Sequence, residues 1–122
     1  MSETTAPPDC LFCQVAAGRI PADIVYQDDE TVAFRDINPQ APTHVLVIPR
    51  QHVPNATEAA AAAAASNVWE AVMGAAARVA RQEGVHDRGY RLVVNCGPEA
   101  GQTVDHLHVH VLGGRPLTWP PG

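Results

Sequence analysis

Alternating and continuous apolar runs along the chain predict five strands. Two short runs near residue 30 are separated by three acidic residues, a spacing typical of a hairpin. The third run is apolar throughout and stops at Pro49, which favours a central position in a sheet. The predicted strands are Ile24–Gln27, Thr31–Arg35, His44–Ile48, Arg91–Asn95 and Val104–Leu112.

Two other segments have the composition and periodicity of helices. Leu11–Ala17 predicts a short N-terminal helix that a glycine ends. Asn55 and Glu58 are spaced as in a capping box, which predicts that a long helical stretch begins there and runs to Gly84, with a break expected near residues 66–67. The seven alanines of Ala59–Ala65 favour helix over linker.

Apolar residues recur at helical spacing in the second half of this stretch and are predicted to face the sheet. They are Val68, Val72, Ala75, Ala76, Val79 and Ala80, with Trp69 and Met73 beside them. An antiparallel sheet of about five strands, with one long helix packed on it and a short N-terminal helix, is an α+β architecture. Residues 1–8 are predicted to be a flexible tail, and residues 9–122 a single domain.

Length and charge narrow the possible functions. The chain has 122 residues and a formal net charge of −5, so we expect one domain without the basic surface that nucleic-acid backbones require. The sequence shows neither a signal peptide nor a membrane span, which favours a cytoplasmic protein that binds neither nucleic acid nor membrane. All 8 basic residues are arginines, and the lack of lysine excludes Schiff-base chemistry by this chain.

Two of the three cysteines have the spacing of a metal half-site. Cys10 and Cys13 are separated by two residues, a pattern found in zinc sites and in redox-active dithiols. A thioredoxin-like pair follows a hydrophobic strand, whereas this pair follows a proline-bearing segment, which favours a metal over redox chemistry. We expect Cys96 to be a buried or semi-exposed thiol, and no redox or organic cofactor.

Three histidines near the C-terminus carry the strongest chemical signal. In an extended strand His106, His108 and His110 share one face over roughly 13 Å, and the apolar residues between them cover the other face. A structural role or an adventitious metal patch is the alternative for such a cluster. A neutral imidazole can attack phosphorus, leaving a phosphorylated or nucleotidylated histidine that water then resolves.

The loop before the triad is polar and contains glycine. Gly101, Gln102 and Thr103 can bring main-chain N–H groups and a hydroxyl against phosphate oxygens. Glycine and proline also simply form turns, so the loop alone does not identify a phosphate site.

The segment His106–Leu112 resembles the His-φ-His-φ-His-φ-φ signature of the histidine triad (HIT) superfamily, and it looks most similar to the Hint branch of nucleoside phosphoramidases. Four other segments agree in order and sequence, so the resemblance extends over nearly all of the chain after residue 8. They are Asp9–Cys13, Phe34–His44, Tyr90–Asn95 and Gly113–Gly122. The resemblance implies a HIT fold and the hydrolysis of P–N bonds in purine nucleoside 5′-phosphoramidates (AMP- or GMP-type) through a nucleotidyl-histidine intermediate.

The resemblance also implies roles in a candidate active site. His108 corresponds to the nucleophile, and His106 is the first member of the triad. His44 matches a family position beside the triad, which implies an orienting role. Thr103 matches a hydroxyl near the phosphate and the leaving group. The implied phosphate contacts are Asn95, Gly101, Gln102, Thr103, His110 and the main chain around Val109. A strand-end turn is the alternative role for Asn95.

Further positions of the family pattern concern the nucleoside. Asp36 and Ile37 match the ribose-binding pair, and a carboxylate is suited to accept from both ribose hydroxyls. Phe12, Val15 and Ile20 match apolar positions that sandwich the base. Burial in the core is the alternative for these three residues, and capping of a turn is the alternative for Asp36.

Metal binding and dimerisation are also implied by the resemblance. In relatives with a Cys-x-x-Cys pair, two histidines complete the site, and the set here would be Cys10, Cys13, His52 and His106, an S2N2 tetrahedron suited to structural zinc. In relatives, the C-terminal tail crosses a two-fold dimer so that a Trp approaches the partner's active site. This pattern implies a homodimer with Trp119 in that position, and a loosely held tail is the alternative.

Two departures and two other functions stay open at this point. Asp105 stands where an aromatic residue is common, and Thr118 stands where a histidine often precedes the Trp, so specificity for the leaving group can differ from that of relatives. Hydrolysis or phosphorolysis of dinucleoside polyphosphates or adenylates is a second enzymatic function. A non-catalytic, zinc-stapled module that binds a nucleotide or a partner is the alternative of another class.

Overall fold

The computed structural model describes residues 9–61 and 67–122. A short helix is followed by three strands, two helices and two further strands. They are α1 (Leu11–Ala16), β1 (Ile24–Gln27), β2 (Thr31–Arg35), β3 (Thr43–Pro49), α2 (Ala56–Ala61), α3 (Val68–Gln82), β4 (Tyr90–Val93) and β5 (Val109–Gly113), with a short 3-10 turn at Pro98–Ala100. The predicted tail of residues 1–8 lies outside the described residues.

The described strands form one antiparallel five-stranded sheet in the order β1-β2-β3-β5-β4. All seven residues of β3 are buried, as expected for the central, apolar strand. The α+β class with five antiparallel strands, one long helix and a short N-terminal helix is therefore confirmed. None of the helices in this described part of the chain is long and apolar enough to cross a membrane.

The sheet separates two clusters of buried side chains. On one face, called here the helix face, α3 packs through the six residues that its periodicity predicted, all of them buried. On the other, the histidine face, α1 covers the sheet and buries Phe12 and Val15 against apolar residues of β2 and β3. The members of that second cluster are Cys10, Phe12, Val15, Val32, Phe34, Leu46 and Ile48.

The last strand begins later than its sequence pattern predicts. β5 starts at Val109, which pairs with Val47, and the next pair would place Leu107 beside Pro49. Pro49 has no N–H to give to the ladder, and the N–H of Leu107 instead donates to Val53 O at 2.7 Å. His106 and His108 therefore precede the strand, although the chain still alternates between the two faces.

The long helical stretch is divided. The Oδ1 atom of Asn55 accepts from the N–H of Glu58 at 2.9 Å, as the capping pattern predicts, and α2 follows. The later alanines of Ala59–Ala65, from residue 62, lie outside the described residues. The second part of the predicted stretch is α3, which ends at Gln82, two residues before the predicted end at Gly84. Gly84 has a φ of +76°, a conformation that favours glycine after a helix.

Hydrogen bonds from Arg50 connect the end of α1 to the hairpin turn between β1 and β2. The guanidinium of Arg50 donates to Ala16 O at the end of α1, to Asp28 O in the hairpin turn and to Gln27 Oε1. In that turn Asp28 Oδ1 accepts from the N–H groups of Glu30 and Thr31. These contacts fix the helix that carries Cys10, Phe12 and Cys13 over the histidine face.

Candidate functional site

A main-chain contact shows where the His108 ring carries a proton. Its ring is 6% exposed, and its Nδ1 atom lies 2.7 Å from the main-chain oxygen of His106. Because a carbonyl oxygen only accepts, Nδ1 carries a proton, and the lone pair of the neutral ring is on Nε2. A fixed lone pair on Nε2 is the form required of a nucleophile.

His110 presents a hydrogen-bond donor beside His108. Main-chain N–H of Gln40 donates to His44 Nδ1 at 3.0 Å, so His44 carries its proton on Nε2. That atom is 2.9 Å from Nδ1 of His110, which must accept and therefore holds its own proton on Nε2. Among the described residues, Nε2 of His110 is a buried side-chain nitrogen without a hydrogen-bond partner. The His108 and His110 rings are 5.1 Å apart between centroids.

Burial keeps both supporting imidazoles neutral. It lowers the pKa of His110 to about 4, an effect that the neighbouring His108 and His44 reinforce and that Asp36 opposes. Burial also lowers the pKa of His44, again against the effect of Asp36. Neutral rings at pH 7 are consistent with the tautomers that the hydrogen bonds assign, so the unpartnered Nε2–H of His110 is a neutral donor.

Asp36 has two contacts at the edge of this network. Its Oδ2 atom is 3.4 Å from His44 Nε2, and its Oδ1 atom accepts from the N–H of Asn38 at 2.8 Å. The turn-capping role and proximity to the histidines therefore occur together. Asp36, His44 and His110 also form a group with metal-ligating atoms, but the hydrogen bonds described above already occupy His44 and the Nδ1 atom of His110.

The loop before the triad is closed by the side chain of Gln102. Its Oε1 atom accepts from the N–H of Gly97 at 3.0 Å, and its Nε2 atom donates to Pro54 O and Val104 O. Both Nε2 protons of the amide are thus used within the protein, so the Gln102 side chain has no donor left for a ligand. Gly101 has a φ of +87° in this loop, and Thr103 is exposed.

The apolar residues matched to the base differ in exposure. Phe12 and Val15 are each 5% exposed, and both belong to the core cluster of the histidine face. Ile20 is partly buried against the same cluster. Ile37, which is matched to the ribose and not to the base, is fully exposed. Core burial and a position near the histidines are therefore combined at Phe12, whose ring packs edge-on against His108 with centroids 5.1 Å apart.

Four residues from three distant segments form a compact cluster of metal-ligating atoms. Cys10, Cys13, His52 and His106 bring two Sγ and two Nδ1 atoms within 4.8 Å of one another. Measured between these atoms, four of the contacts are 3.2, 3.3, 3.4 and 3.5 Å. Zinc bond lengths of about 2.3 Å to sulfur and 2.0–2.1 Å to nitrogen give edges of roughly 3.3–3.8 Å in a tetrahedron. The four residues therefore fit a metal ion with tetrahedral S2N2 coordination.

The surroundings of this cluster orient its ligands. His106 is fully buried, and its Nε2–H donates to Pro49 O at 2.8 Å, which leaves the Nδ1 lone pair facing the sulfurs. Burial raises the pKa of Cys13 to about 12, and the neighbouring Cys10 reinforces this effect. Burial likewise lowers the pKa of His106 to about 4. A divalent cation offsets the unfavourable burial of thiolates, so the donor set suits zinc chemically as well as geometrically.

Two predicted positions lie away from these centres. Cys96 is exposed, not buried or semi-exposed, and its Sγ atom is 3.4 Å from the hydroxyl oxygen of Thr57. Trp119 is 80% exposed. The tail before it is held by Arg91, whose guanidinium donates to the main-chain oxygens of Leu117 and Thr118.

Sequence reasoning missed several groups that complete the site. The N–H of Gln40 and the carbonyl of Pro49 belong to the main chain, so the identity of their side chains gives no signal. Phe34 lies edge-on to Phe12 with ring centroids 5.5 Å apart, and its place in a segment already matched to the family could have revealed it.

Comparisons with known proteins agree with this arrangement. A family model described as the HIT domain matches residues 17–117. A purine nucleoside phosphoramidase of Escherichia coli is 45% identical over 109 residues, which are 89% of this chain and 90% of the relative. A 14 kDa zinc-binding protein of Zea mays is 46% identical over 112 residues, 92% of this chain and 87% of the relative. The crystal structure of a HIT family hydrolase from Legionella pneumophila superposes with a TM-score of 0.88 and 46% identity, covering 93% of this chain and 100% of the other.

Proposed function

The chain belongs to the HIT domain family, and we propose that it is a hydrolase that cleaves the P–N bond of purine nucleoside 5′-phosphoramidates. One observation carries the proposal: the hydrogen bond from His108 Nδ1–H to His106 O leaves the Nε2 lone pair of a buried imidazole available as a nucleophile. The phosphoramidase activity named for the Escherichia coli relative supports this substrate class.

The reaction proceeds in two displacements at phosphorus. His108 Nε2 attacks the α-phosphorus, the P–N bond breaks, and the amine leaves with a proton taken from solvent while a nucleotidyl-histidine forms. Water then attacks the same phosphorus and returns a proton to solvent, releasing the nucleoside 5′-monophosphate and restoring the imidazole. Thr103, whose hydroxyl is exposed at the end of the loop, lies near the leaving group in this proposal.

Two hydrogen bonds stabilise the charges that develop. Bond formation at Nε2 makes the imidazole of His108 cationic, and the carbonyl oxygen of His106, 2.7 Å from Nδ1, accepts a stronger hydrogen bond from that cation. The free Nε2–H of His110 donates to a phosphate oxygen, together with the N–H of Val109. His44 holds His110 in the required tautomer.

The remaining proposed contacts surround the nucleotide. The main chain at Gly101 and Gln102, with Asn95, faces the phosphate side. Asp36 and Ile37 hold the ribose. The base lies against the apolar surface next to α1, with Val15, Ile20 and the edge of Phe12 at its boundary. AMP- and GMP-type nucleotides both suit an apolar base site of this kind.

We further propose structural zinc at Cys10, Cys13, His52 and His106. The fit of the ligand distances to tetrahedral edges supports this, as does the name of the Zea mays relative. A bound ion would cross-link α1 to the segments around residues 52 and 106. It would take no part in breaking the P–N bond.

A homodimer is the proposed assembly. β4 is an outer strand of the sheet, and within the described residues no strand pairs with its free edge. A free edge and an exposed tail that carries Trp119 are suited to pairing with a second copy of the chain. Trp119 would then tune substrate choice in the partner's site.

A substitution of the nucleophile tests the reaction. Wild-type protein and His108→Ala are mixed with adenosine 5′-phosphoramidate, and release of AMP is followed while metal content is measured on the same samples. We expect the substitution to lower kcat by a factor on the order of 10³ or more while folding and AMP binding persist.

The control is His86→Ala, which removes an exposed histidine outside the site and should keep full activity. Equal turnover by His108→Ala would reject His108 as the nucleophile. If folded, dimeric wild-type protein releases no AMP, the phosphoramidase function is rejected. Dinucleoside polyphosphates would then be tested as substrates, followed by a non-catalytic binding function.

A further inference from the structure

We infer that Arg115 is a positioning residue for His110, which it reaches through the main chain of Gln40 and the ring of His44. The inference rests on the proposed function, because it takes the Nε2–H of His110 as a donor to the phosphate. It concerns how that donor is kept in place, and it requires no contact between Arg115 and the substrate.

The register of the sheet brings Arg115 to the turn before β3. β5 ends at Gly113, which pairs with Thr43, the first residue of β3. The chain that leaves β5 therefore runs beside the turn formed by residues 38–42. Arg115 is two residues beyond the last pair and lies at the same edge of the sheet.

A glycine permits the close approach of these two segments. The φ of Gly114 is +91°, a conformation that residues with side chains rarely adopt. A β-carbon on this residue would lie 2.9 Å from the β-carbon of Pro42, closer than such atoms approach in proteins. The tail therefore packs with its main chain directly against the turn, and this packing brings Arg115 within reach of Gln40.

The guanidinium of Arg115 binds the carbonyl group of Gln40 with two of its N–H groups. Nε and Nη2 donate to Gln40 O at 3.0 and 2.9 Å. Nη1 donates to Pro116 O at 2.9 Å, so the guanidinium is also attached to the tail. Hydrogen bonds from a charged donor are stronger than neutral ones, and two from one planar group fix direction as well as distance. Arg115 therefore restrains the main chain at residue 40.

Gln40 is also the first member of the hydrogen-bond chain to the active site. Its N–H donates to His44 Nδ1 at 3.0 Å, and His44 Nε2–H donates to His110 Nδ1 at 2.9 Å. Because the N–H and the carbonyl of Gln40 are joined through one Cα atom, a restraint on the carbonyl also limits rotation of the N–H. Three hydrogen-bonded steps thus connect the guanidinium of Arg115 to the ring of His110.

Loss of this restraint has a defined chemical consequence. If the N–H of Gln40 turns away, Nδ1 of His44 can carry the proton and Nε2 becomes an acceptor. His110 then donates from Nδ1 and presents a lone pair at Nε2. That lone pair repels phosphate oxygens instead of donating to them. We expect the loss mainly in kcat, since the donor is aimed at charge that develops in the transition state.

The test compares Arg115→Met with Arg88→Met. Both arginines line one cavity of about 360 Å³, but the hydrogen bonds described at Gln40 O come from Arg115. With adenosine 5′-phosphoramidate we expect Arg115→Met to lower kcat about tenfold and to change KM by less than about threefold. Arg88→Met should keep kcat within about twofold of wild type. Arg115→Lys, which returns one charged donor to Gln40 O, should recover much of the lost kcat.

Several results would overturn the inference. Full activity of Arg115→Met would show that the turn keeps its shape without the guanidinium. Equal losses in Arg115→Met and Arg88→Met would reduce the effect to the positive charge of this surface. A raised KM at unchanged kcat would assign Arg115 to nucleotide binding. A loss that appears only with a changed oligomeric state, measured by size-exclusion chromatography, would assign it to assembly.

A measurement without substrate separates this inference from the proposed reaction. Ring ¹⁵N resonances of His44 and His110 are recorded at pH 7 for wild type and the two methionine variants, and assigned with His44→Gln and His110→Gln. A nitrogen that carries a proton and one that carries a lone pair differ widely in ¹⁵N shift, so the spectra report the tautomers directly. We expect a protonated Nε2 of His110 in wild type and Arg88→Met, and a mixture of tautomers in Arg115→Met.

The two kinds of failure are then distinguishable. Unchanged tautomers in Arg115→Met would overturn the inference even if kcat falls. If wild-type protein releases no AMP, the proposed reaction fails, and the comparison of tautomers still decides whether Arg115 positions His110.

Discussion

The two faces of the sheet are held by different kinds of contact. On the helix face, small apolar side chains of α3 pack directly against apolar side chains of the strands. On the histidine face, main-chain groups orient three imidazole rings by hydrogen bonds. Pro49 O accepts from His106, His106 O accepts from His108, and the N–H of Gln40 donates to His44. The difference teaches that side-chain pattern determines the first face and chain path the second.

This contrast has an energetic consequence. Losses on the helix face should be graded with the volume removed, because neighbouring side chains relax in part around a gap. Losses on the histidine face should be abrupt in function, since an unheld imidazole loses its tautomer and direction. The following predictions test that contrast.

The largest effect on stability is expected from removing a ligand of the proposed zinc. Cys10→Ala should lose the bound metal and lower the free energy of unfolding by at least about 3 kcal/mol. Metal analysis and urea unfolding measure both effects. The matched control is Cys96→Ala, which removes the exposed thiol and should preserve metal and stability. Full zinc content in Cys10→Ala would reject the proposed ligand set.

A smaller effect is expected on the helix face. Val72 is fully buried in α3, and Val72→Ala should lower the free energy of unfolding by about 2 kcal/mol through lost burial and a residual cavity. Below the unfolding transition, kcat should stay within about twofold of wild type. Met73→Ala, at a more exposed position of the same helix, is the control and should change stability little. A large loss of kcat in folded Val72→Ala would contradict the expectation that the helix face affects stability and not activity.

The smallest expected effect is a dependence of stability on pH. Burial lowers the pKa of His110 to about 4, whereas the unfolded chain has a value near 6.5. Between these values the unfolded state binds a proton that the folded state excludes, so stability decreases as pH falls from about 6.5 to about 4. The contribution of one partly buried imidazole is on the order of 1–2 kcal/mol.

Urea unfolding at several pH values checks this sign. Replacement of the ring in His110→Gln should flatten the slope in that window, and His86→Gln, at an exposed position, should leave it unchanged. An unaltered slope in His110→Gln would mean that His110 does not carry the titration.

Much of the fold could be predicted because it is encoded in side-chain periodicity. The stripe of α3 and the continuous apolar run of β3 each follow from spacing alone, and the HIT fold implied by the motifs is confirmed by the superposition on a HIT family hydrolase. The start of β5 was predicted five residues too early, because the missing N–H belongs to Pro49 on a different strand. Pairing of that kind depends on register across the sheet, which a local pattern does not contain.

The candidate site could be predicted only in part for a related reason. The convergence of Cys10, Cys13, His52 and His106 followed from the resemblance and agrees with the geometry of the cluster. The use of the Gln102 amide within the loop was not foreseen, since a polar residue in a loop gives no sign of which partners it finds. The exposure of Cys96 likewise depends on how the loop after β4 lies against Thr57.

The hydrogen bond at His44 Nδ1 is made without the side chain at position 40. Its donor is a backbone amide, which every amino acid except proline carries, so a substitution at position 40 that preserves the turn also preserves the placement of the proton on His110. The tautomer of these two histidines is therefore set by the backbone conformation of the turn and not by the side chain at position 40.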